Sequence, residues 1–467
     1  MKAQIAGPPA GNQPPSRPGW DWIDRGVWTD RMLNALHCGV KGGKWHSLID
    51  KVYDLDNLWR AYGKVASRKG AGTAGVDGVT ASRYERELTH NQATLARQLH
   101  DGTYRAQPVR RIHIPKSGGK GTRPLGIPCV RDRIAQRALK QVIEPIYEAT
   151  FHPSSYGFRP QRGCLEALAE VSQLMESGYT VVVDADIRGF FDAIPKDRLM
   201  ARVCPEISDG RVLDLIEGYL HQGVMDESSY WEPTTGTPQG AVISPLLANI
   251  FLNPFDWTMH RHGVRIVRYA DDFVLLCRTR EAAERALELA TAWMEANELE
   301  LHPEKTRLVD MNVHRAGFTF LGYCFRRNVD RQGESRILAL VSDKSMLKLR
   351  DTLRRHTGRC NGRSMQETIR RVNQTLRGWY NYFRRCVTNQ LVKIDKYVRR
   401  RLRRILRKRH KRRGGTGRSL QDHEKWPDVH FRDLGYFSLE AARRRAVQSL
   451  GQSLTGEPYA GDPHVRF

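Results

Sequence analysis

Apolar and polar positions divide the chain into a first part of mixed patterns and a second part of helical spacing. Apolar runs at 180–186 and 265–277 predict strands that carry acidic residues, and 109–128 alternates around a Ser-Gly-Gly-Lys-Gly turn that predicts a hairpin. A further strand is predicted at 317–325. Apolar residues at intervals of three and four predict helices at 20–36, 45–64, 131–148, 164–175, 199–222, 243–252 and 281–299.

The second part begins near residue 343, where the composition shifts to arginine and lysine. Helical spacing there predicts helices at 344–356, 365–385 and 392–410, the last with one apolar stripe toward a core. Residues 426–439 are predicted to dock as a small segment, with a tail after them. We interpret the aromatic residues of the middle helix as core rather than as base-stacking platforms: Trp379, Tyr380, Tyr382 and Phe383.

The charge balance changes this picture. A net charge of +25 over 467 residues favours a polyanionic partner, with nucleic acid ahead of an anionic membrane. The length suggests about three domains, and 40% hydrophobic residues are enough for buried cores. No apolar run approaches the roughly 20 residues that span a bilayer, so we expect a cytoplasmic protein without a membrane partner. The eight cysteines form no Cys-x-x-Cys pair, which argues against a zinc knuckle or a disulfide framework.

Much of the positive charge is concentrated in one segment. Thirteen lysines and arginines, and no acid, lie between residues 396 and 418. Such a run is often only a solvated face, but its density here favours contact with RNA or DNA phosphates. The side chains predicted to make these contacts are Arg400, Arg403, Arg404, Arg407, Lys408 and Arg412.

Paired acids are the strongest candidates for chemistry. Asp271 and Asp272 lie where two strand-like runs meet, so a hairpin tip would present both without burying either. The alternative is a surface turn with two solvated acids. Asp184 and Asp186 lie on one face of another strand, which requires a bound cation or an arginine partner. Three converging carboxylates would suit divalent cations that prefer oxygen ligands.

Cations and a glycine-rich loop are candidates for nucleotide contact. Lys116 and Arg123 lie near the tip of the 109–128 hairpin, where they either neutralise a triphosphate or are simply solvated. Gln239 can donate to and accept from a base or sugar, and Gly240 would let the backbone approach a ligand closely. Arg159 either touches template phosphate or pins its own loop.

A set of motifs, in this order and at these separations, resembles bacterial group II intron reverse transcriptases, also called maturases. The likeness runs from about residue 45 to about residue 439. The motifs, beside the two acidic stretches, are Ile114-Pro-Lys116, Arg123-Pro-Leu-Gly-Ile-Pro128, Tyr156-Gly-Phe-Arg-Pro160, Thr237-Pro-Gln-Gly240, Ile243-Ser-Pro245, His302-Pro-Glu-Lys-Thr306, Phe320-Leu-Gly322 and Gly378-Trp-Tyr-Asn-Tyr382.

The resemblance implies a right-hand polymerase of the α+β class. Its expected parts are a leader at 1–44 (disordered, then a short helix), fingers and palm at 45–325, a helical thumb or maturase domain at 326–395, and a basic nucleic-acid-binding segment with a tail at 396–467. Asp186, Asp271 and Asp272 would bind two Mg²⁺ ions. Asp186 is preferred to Asp184 because the family's metal-binding Asp lies five residues before an aromatic, here Phe191. The residues implied to contact the nucleotide are Lys116, Arg123, Phe191, Gln239 and Lys305.

The resemblance also implies partners. These are a group II intron RNA, an RNA template with a DNA primer, target DNA and deoxynucleoside triphosphates. The expected roles are to assist intron splicing and to reverse transcribe the intron during retrohoming, in the bacterial cytoplasm and on the nucleoid when bound to DNA. No endonuclease module is recognisable downstream, so we expect mobility to use other primers. The alternative is a domesticated reverse transcriptase in phage defence, DNA repair or a CRISPR system.

Overall fold

A computed structural model describes residues 20–40, 42–115, 121–226, 229–236, 240–329, 335–358, 362–410 and 419–453. The chain forms two compact units, Met1–Asp310 and Met311–Phe467. No helix in the described ranges is both long and apolar enough to cross a membrane. The predicted leader at 1–19 and the final residues from 454 lie outside the described part.

The first unit combines helices with two sheets, which confirms the α+β prediction for this part. Its helices are α1 (Asp30–Cys38), α2 (Ile49–Tyr53), α3 (Leu55–Ala66), α4 (Ala81–Glu85), α5 (Leu88–Asp101), α6 (Val130–Glu148), α7 (Cys164–Glu176), α8 (Phe190–Ala193), α9 (Lys196–Val203), α10 (Gly210–Leu220), α11 (Ser244–Arg261) and α12 (Arg280–Ala296). Its strands are β1 (Val109–Pro115), β2 (Thr122–Ile127), β3 (Val181–Asp186), β4 (Val224–Asp226), β5 (Ser229–Trp231), β6 (Arg265–Tyr269), β7 (Asp272–Cys277) and β8 (Arg307–Asp310).

The central sheet has the strand order β6-β7-β3-β8, and each neighbouring pair is antiparallel. Its middle strands are apolar along most of their length, and Val182, Val183, Val274 and Leu275 are fully buried. Helix α12 packs against β3 and β7, and α11 packs against β6. This burial fixes the strand register, because a shift by one residue would expose the apolar face. The register in turn decides which acids meet at the end of the sheet.

The second sheet has the order β2-β1-β4-β5. Strands β1 and β2 form the predicted antiparallel hairpin, with Ile112 opposite Leu125 and Ile114 opposite Arg123. Arg123 therefore lies on the same face of the hairpin as the two isoleucines. Lys116 and the rest of the turn, residues 116–120, lie outside the described part of the chain.

Three helical predictions are wrong in continuity. Residues 20–36 form a short 3-10 helix at Trp20–Trp22 and then α1, which begins only at Asp30. Residues 199–222 form α9 and α10 rather than one helix, because Pro205 cannot continue α9 and the Asp209 carboxylate caps α10 by accepting from the amides of Arg211 and Val212. Residues 45–64 likewise divide into α2 and α3, since Asp54 caps the second helix by accepting from the Asn57 amide. Helix α11 is longer than predicted and continues past Pro254.

The second unit contains a sheet as well as helices. Its elements are β9 (Gly317–Phe320), β10 (Tyr323–Val329), β11 (Ser335–Val341), α13 (Asp343–His356), α14 (Met365–Phe383), α15 (Thr388–Arg409), α16 (Leu420–Lys425), α17 (Asp428–Asp433) and α18 (Leu439–Ser453). The strand predicted at 317–325 is two strands, because Leu321 and Gly322 both have positive φ (48° and 79°) and form a tight turn. Residues 335–341 pair with β10 and are not helical, so the all-helical prediction fails at the start of the 326–395 range.

Two of the four aromatic residues predicted to form core in α14 are buried in the second unit, whereas Trp379 and Tyr382 are only partly buried. Tyr380 and Phe383 are buried, and the rings of Tyr323 and Phe383 lie 5.1 Å apart. The Tyr323 hydroxyl donates to the carbonyl of Tyr382, at 2.7 Å. These contacts hold α14 to β10. The domain boundaries at 325 and 395 remain predictions.

Candidate active site

The β6–β7 hairpin has a two-residue turn that carries one of the paired acids. Tyr269 lies opposite Asp272 in the ladder, so Ala270 and Asp271 make the turn. Ala270 has φ +60°, a conformation that glycine usually supplies at the first position of such a turn. A residue other than glycine in this region costs about 1–3 kcal/mol, and it persists there only because its surroundings hold it. The strain therefore lies directly beside the acidic pair.

The neighbouring strand brings a third acid to the same place. In the antiparallel β3–β7 ladder Asp186 lies directly opposite Asp272. Side chains directly opposite each other share one face of a sheet, with Cβ atoms about 4.5–5.5 Å apart. The convergence that the sequence predicts for Asp186, Asp271 and Asp272 is therefore present in the backbone register.

Burial and the charges of neighbouring acids both raise the pKa values of Asp271 and Asp272. Withdrawal from water raises the pKa of Asp271 and the charge of Asp186 raises it further, while Arg123 and Lys305 oppose the shift. Withdrawal from water also raises the pKa of Asp272 to about 6, with further contributions from Asp271, Asp186 and Asp184. These surroundings disfavour ionisation of Asp271 and Asp272 unless positive charge is added.

Two cations on the adjacent edge already supply part of that charge. The turn that follows residue 301 is bound to β3 because the amide of His302 donates to the carbonyl of Asp186, at 2.8 Å. Lys305, in this turn, forms an ion pair with the Asp186 carboxylate. Arg307 donates from Nε and Nη2 to Asp184 Oδ2, at 3.1 and 3.0 Å. Both acids of β3 therefore have a cationic partner, which explains how the strand tolerates them.

Hard oxygen ligands of this kind suit Mg²⁺. Across the described ranges, no three Asp, Glu, His or Cys side chains are arranged as a complete metal-binding group. At the end of β3, the Asp186 carboxylate is directed to Lys305 instead. Since the Lys305 side chain is 58% exposed, it can withdraw into solvent without repacking the core. For Asp186 to face a divalent cation together with Asp271 and Asp272, that ion pair has to open.

The remaining residues predicted to contact a nucleotide are only partly described. Arg123 is exposed and acts electrostatically on Asp271. Phe191 is half-buried beside the buried ring of Phe190, with the ring centroids 5.5 Å apart. Lys116 and Gln239 lie outside the described residues.

The loop before Gln239 is bound under Phe191. The amide of Gly236 donates to the carbonyl of Ile194 at 2.8 Å, and Thr235 Oγ1 donates to the carbonyl of Asp192 at 3.0 Å. A Cβ atom at Gly236 would lie 2.8 Å from the carbonyl oxygen of Phe191. Only glycine fits this approach.

Gly240, after the undescribed residues, makes a second close contact. It has φ +114°, and a Cβ atom there would lie 2.4 Å from the carbonyl oxygen of Gly126 in β2. The close backbone approach at Gly240 is therefore to the β1–β2 hairpin, and the predicted approach to a ligand stays a prediction.

Arg159 pins its loop and does not face a nucleic acid. Its side chain is 2% exposed and pairs with Glu148 through Nε and Nη2, at 2.7–3.0 Å. Its Nη1 donates to the carbonyls of His152 and Ser155, both at 2.6 Å. All of its nitrogens are occupied by protein acceptors, so the template-phosphate prediction gives way to the loop-pinning alternative.

The basic segment also contains structural arginines. Arg403 is 2% exposed and donates to the carbonyl of Trp426 and to the carboxylate of Asp428, so its predicted nucleic-acid contact is wrong. Arg407 binds the buried carboxylate of Asp422 at 2.6 Å. Lys408 is exposed, and Arg400 and Arg404 are partly exposed. Arg412 lies outside the described residues.

One group of buried polar residues was not found from the sequence. Arg268 of β6 forms an ion pair with Asp256 of α11, and both side chains are 1% exposed. An arginine inside an apolar strand, in the order Arg-Ile-Val-Arg-Tyr, was the available signal. Its partner lies in a helix whose pattern gives no sign of the pairing.

Most of the chain matches two known protein families. Residues 114–325 match the family described as "Reverse transcriptase (RNA-dependent DNA polymerase)". Residues 346–424 match the family described as "Group II intron, maturase-specific domain". The two matches follow one another in the order that the sequence motifs predict.

The chain is also similar to individual known proteins. Protein YkfC of Escherichia coli (strain K12) is 37% identical over 314 residues, which are 59% of this chain and 81% of YkfC. The group II intron-encoded protein LtrA of Lactococcus lactis subsp. cremoris is 39% identical over 201 residues, 43% of this chain and 33% of LtrA. The aligned part is thus about a third of LtrA.

Among solved structures, a chain of the "Partial Cas6-RT-Cas1--Cas2 complex" aligns with 54% of this chain and 43% of that chain, with 25% identity and a TM-score of 0.33. A TM-score this low adds nothing to the family match.

Proposed function

The chain belongs to the reverse transcriptase family that carries a group II intron maturase domain, and from this premise we propose that it is an RNA-directed DNA polymerase using two Mg²⁺ ions. One observation carries the proposal: Asp186 lies opposite Asp272 across the β3–β7 ladder, with Asp271 in the adjoining turn. Strand β3 and the β6–β7 hairpin, which are far apart in the sequence, therefore bring their acids together at the end of a buried sheet.

In nucleotidyl transfer, the acidic residues and the neighbouring Lys305 and Arg123 have different proposed roles. Bound Mg²⁺ ions would activate the primer 3′-hydroxyl and neutralise charge on the triphosphate. Asp186, Asp271 and Asp272 supply the oxygen ligands. Lys305 neutralises the Asp186 carboxylate through their ion pair, and its ammonium would be available to phosphate oxygens if Asp186 held a cation instead. Arg123, on the β2 strand, adds a second positive charge that acts on Asp271.

Selection of deoxynucleotides falls to Phe191. Phe190 is buried and holds this short helix to the core, whereas Phe191 is only half-buried. A ring in this place would lie under the sugar of the incoming nucleotide and exclude a 2′-hydroxyl. Lys116 and Gln239 complete the proposed nucleotide contacts, with Lys116 on the phosphates and Gln239 on the base or sugar.

The second unit supports a different role, namely binding of a group II intron RNA to assist its splicing. The maturase-specific match covers α13 to α16, and α15 presents lysines and arginines opposite its buried apolar stripe. Lys408, Arg400 and Arg404 are the proposed phosphate contacts among the described residues, with Arg412 added from the sequence. We keep the thumb at 326–395 and the basic segment at 396–467 as the proposed domains.

The polymerase role and the splicing role can be tested by two assays on the same preparation of the full chain. We expect extension of a DNA primer on an RNA template with deoxynucleotides, lost with a chelator and restored by Mg²⁺. We also expect accelerated splicing, at low Mg²⁺, of the intron that flanks the reading frame. Absence of extension across RNA templates would refute the polymerase role, and extension without any effect on that intron would refute the splicing role.

A further inference from the structure

A buried arginine network joins the acidic turn to helix α11. Arg268 Nε and Nη2 donate to the two carboxylate oxygens of Asp256, at 2.6–3.0 Å. Arg268 Nη1 donates to Asn249 Oδ1 at 3.0 Å and to the backbone carbonyl of Ala270 at 2.9 Å. Asp256 and Asn249, which both belong to α11, are 0% and 1% exposed. The guanidinium therefore binds the strained turn residue with no water access.

The turn is also held from its other side. Asn249 Nδ2 donates to the carbonyl of Gly157 at 2.8 Å, and a Cβ atom on Gly157 would lie 2.3 Å from the Ala270 nitrogen. The backbone of Arg268 pairs with the same loop, donating to the Ser154 carbonyl and accepting from the Tyr156 amide, both at 2.9 Å. Ala270 is thus enclosed between the Gly157 backbone and the Arg268 side chain.

We infer that Arg268 is a positioning residue for the metal-binding acids, and this inference rests on the proposed polymerase function. The carbonyl of Ala270 belongs to the peptide that leads directly into Asp271. Fixing that carbonyl fixes the peptide plane, and with it the direction in which Asp271 and Asp272 leave the turn. Asp256 neutralises the guanidinium, which allows a charged donor to be buried beside the turn.

If Arg268 only stabilised the fold, it would need fewer of these contacts. Pairing with Asp256 alone would satisfy the charge and attach β6 to α11. The additional Nη1 contact reaches past the strand to the one carbonyl between the ladder and Asp271. Removing a group that orients the ligands of a metal without binding the metal itself typically lowers metal affinity or activity by about 10- to 100-fold.

The test compares the wild type with the double variant Arg268→Met/Asp256→Leu. The apolar pair removes the buried charges together, so stability can recover while the bond to Ala270 is lost. Single-turnover extension is measured against Mg²⁺ concentration, with thermal melting and template–primer affinity in parallel. We expect a rate about 10- to 100-fold lower, a higher Mg²⁺ half-saturation, and unchanged template–primer affinity.

Leu95→Ala is the matched control for lost stability, because Leu95 is fully buried in α5 and is not part of the turn network. The inference holds if the double variant, but not a Leu95→Ala protein of equal or lower melting temperature, shows the raised Mg²⁺ requirement. It fails if the double variant has a wild-type Mg²⁺ dependence, or if Leu95→Ala shifts it equally. A wild-type protein that extends no primer would instead refute the proposed function.

Discussion

Alanine at both Asp271 and Asp272 is expected to lower RNA-templated primer extension by at least about 10³-fold, because two of the three proposed ligands of the catalytic ions are removed together. Template–primer binding should persist, since the loss of two negative charges does not weaken attraction to phosphates. The measurement is single-turnover extension beside a binding titration on the same RNA–DNA hybrid.

Asp184→Asn is the matched control for this loss. Asp184 lies on the same face of β3 but is bound by Arg307, so we expect its amide variant to remain within about tenfold of the wild-type rate. Extension by the Asp271→Ala/Asp272→Ala protein above about one per cent of the wild type would exclude both acids as essential ligands. A parallel loss of hybrid binding would point to misfolding instead.

Phe191→Ala is expected to admit ribonucleotides, because the half-buried ring is replaced by a space beside the proposed sugar position. We expect the ratio of kcat/KM for a deoxynucleotide to that for the matching ribonucleotide to fall by about 10- to 200-fold, the range for a steric gate of one small group. The ratio is measured with dCTP and CTP on one RNA template.

Phe190→Leu controls for disturbance of the core around this helix. Phe190 is buried and packs near Phe251, with ring centroids 6.3 Å apart, so its substitution should affect melting temperature rather than sugar selection. If Phe191→Ala left the selectivity ratio unchanged, another group would have to exclude the 2′-hydroxyl. If Phe190→Leu changed the ratio equally, the ring position would matter only through the fold.

Local patterns predicted the elements that build the acidic site. The valine run of β3, the β1–β2 hairpin and the β6–β7 hairpin each follow from short-range periodicity, and all three are present. The convergence of Asp186 with Asp272 was predicted through the resemblance, since neither strand indicates its neighbour or its register. The antiparallel pairing of β3 with β7 supplies that information.

Partners distant in sequence account for the failed predictions. Arg403 lies in a basic run and Arg159 in a loop between two predicted helices, but ion pairs with Asp428 and Glu148, respectively, hold their side chains inside the protein. A basic residue is predicted to bind nucleic acid from its neighbours alone, whereas its burial depends on a carboxylate elsewhere. The importance of Arg268 was missed, because its contacts with Asp256 and with the Ala270 carbonyl cannot be predicted from its neighbours in the sequence.

The most direct measurement maps the metal site by iron-mediated cleavage, in which Fe²⁺ replaces Mg²⁺ and generates radicals that cut the backbone nearby. At a pH well above 6, the approximate pKa of Asp272, that carboxylate is ionised and available to the ion. We predict cuts close to both Asp186 and the Asp271–Asp272 turn, both lost in Asp186→Asn and both kept in Asp184→Asn. Cuts at only one of the two segments, or cuts that survive in Asp186→Asn, would contradict a shared metal site.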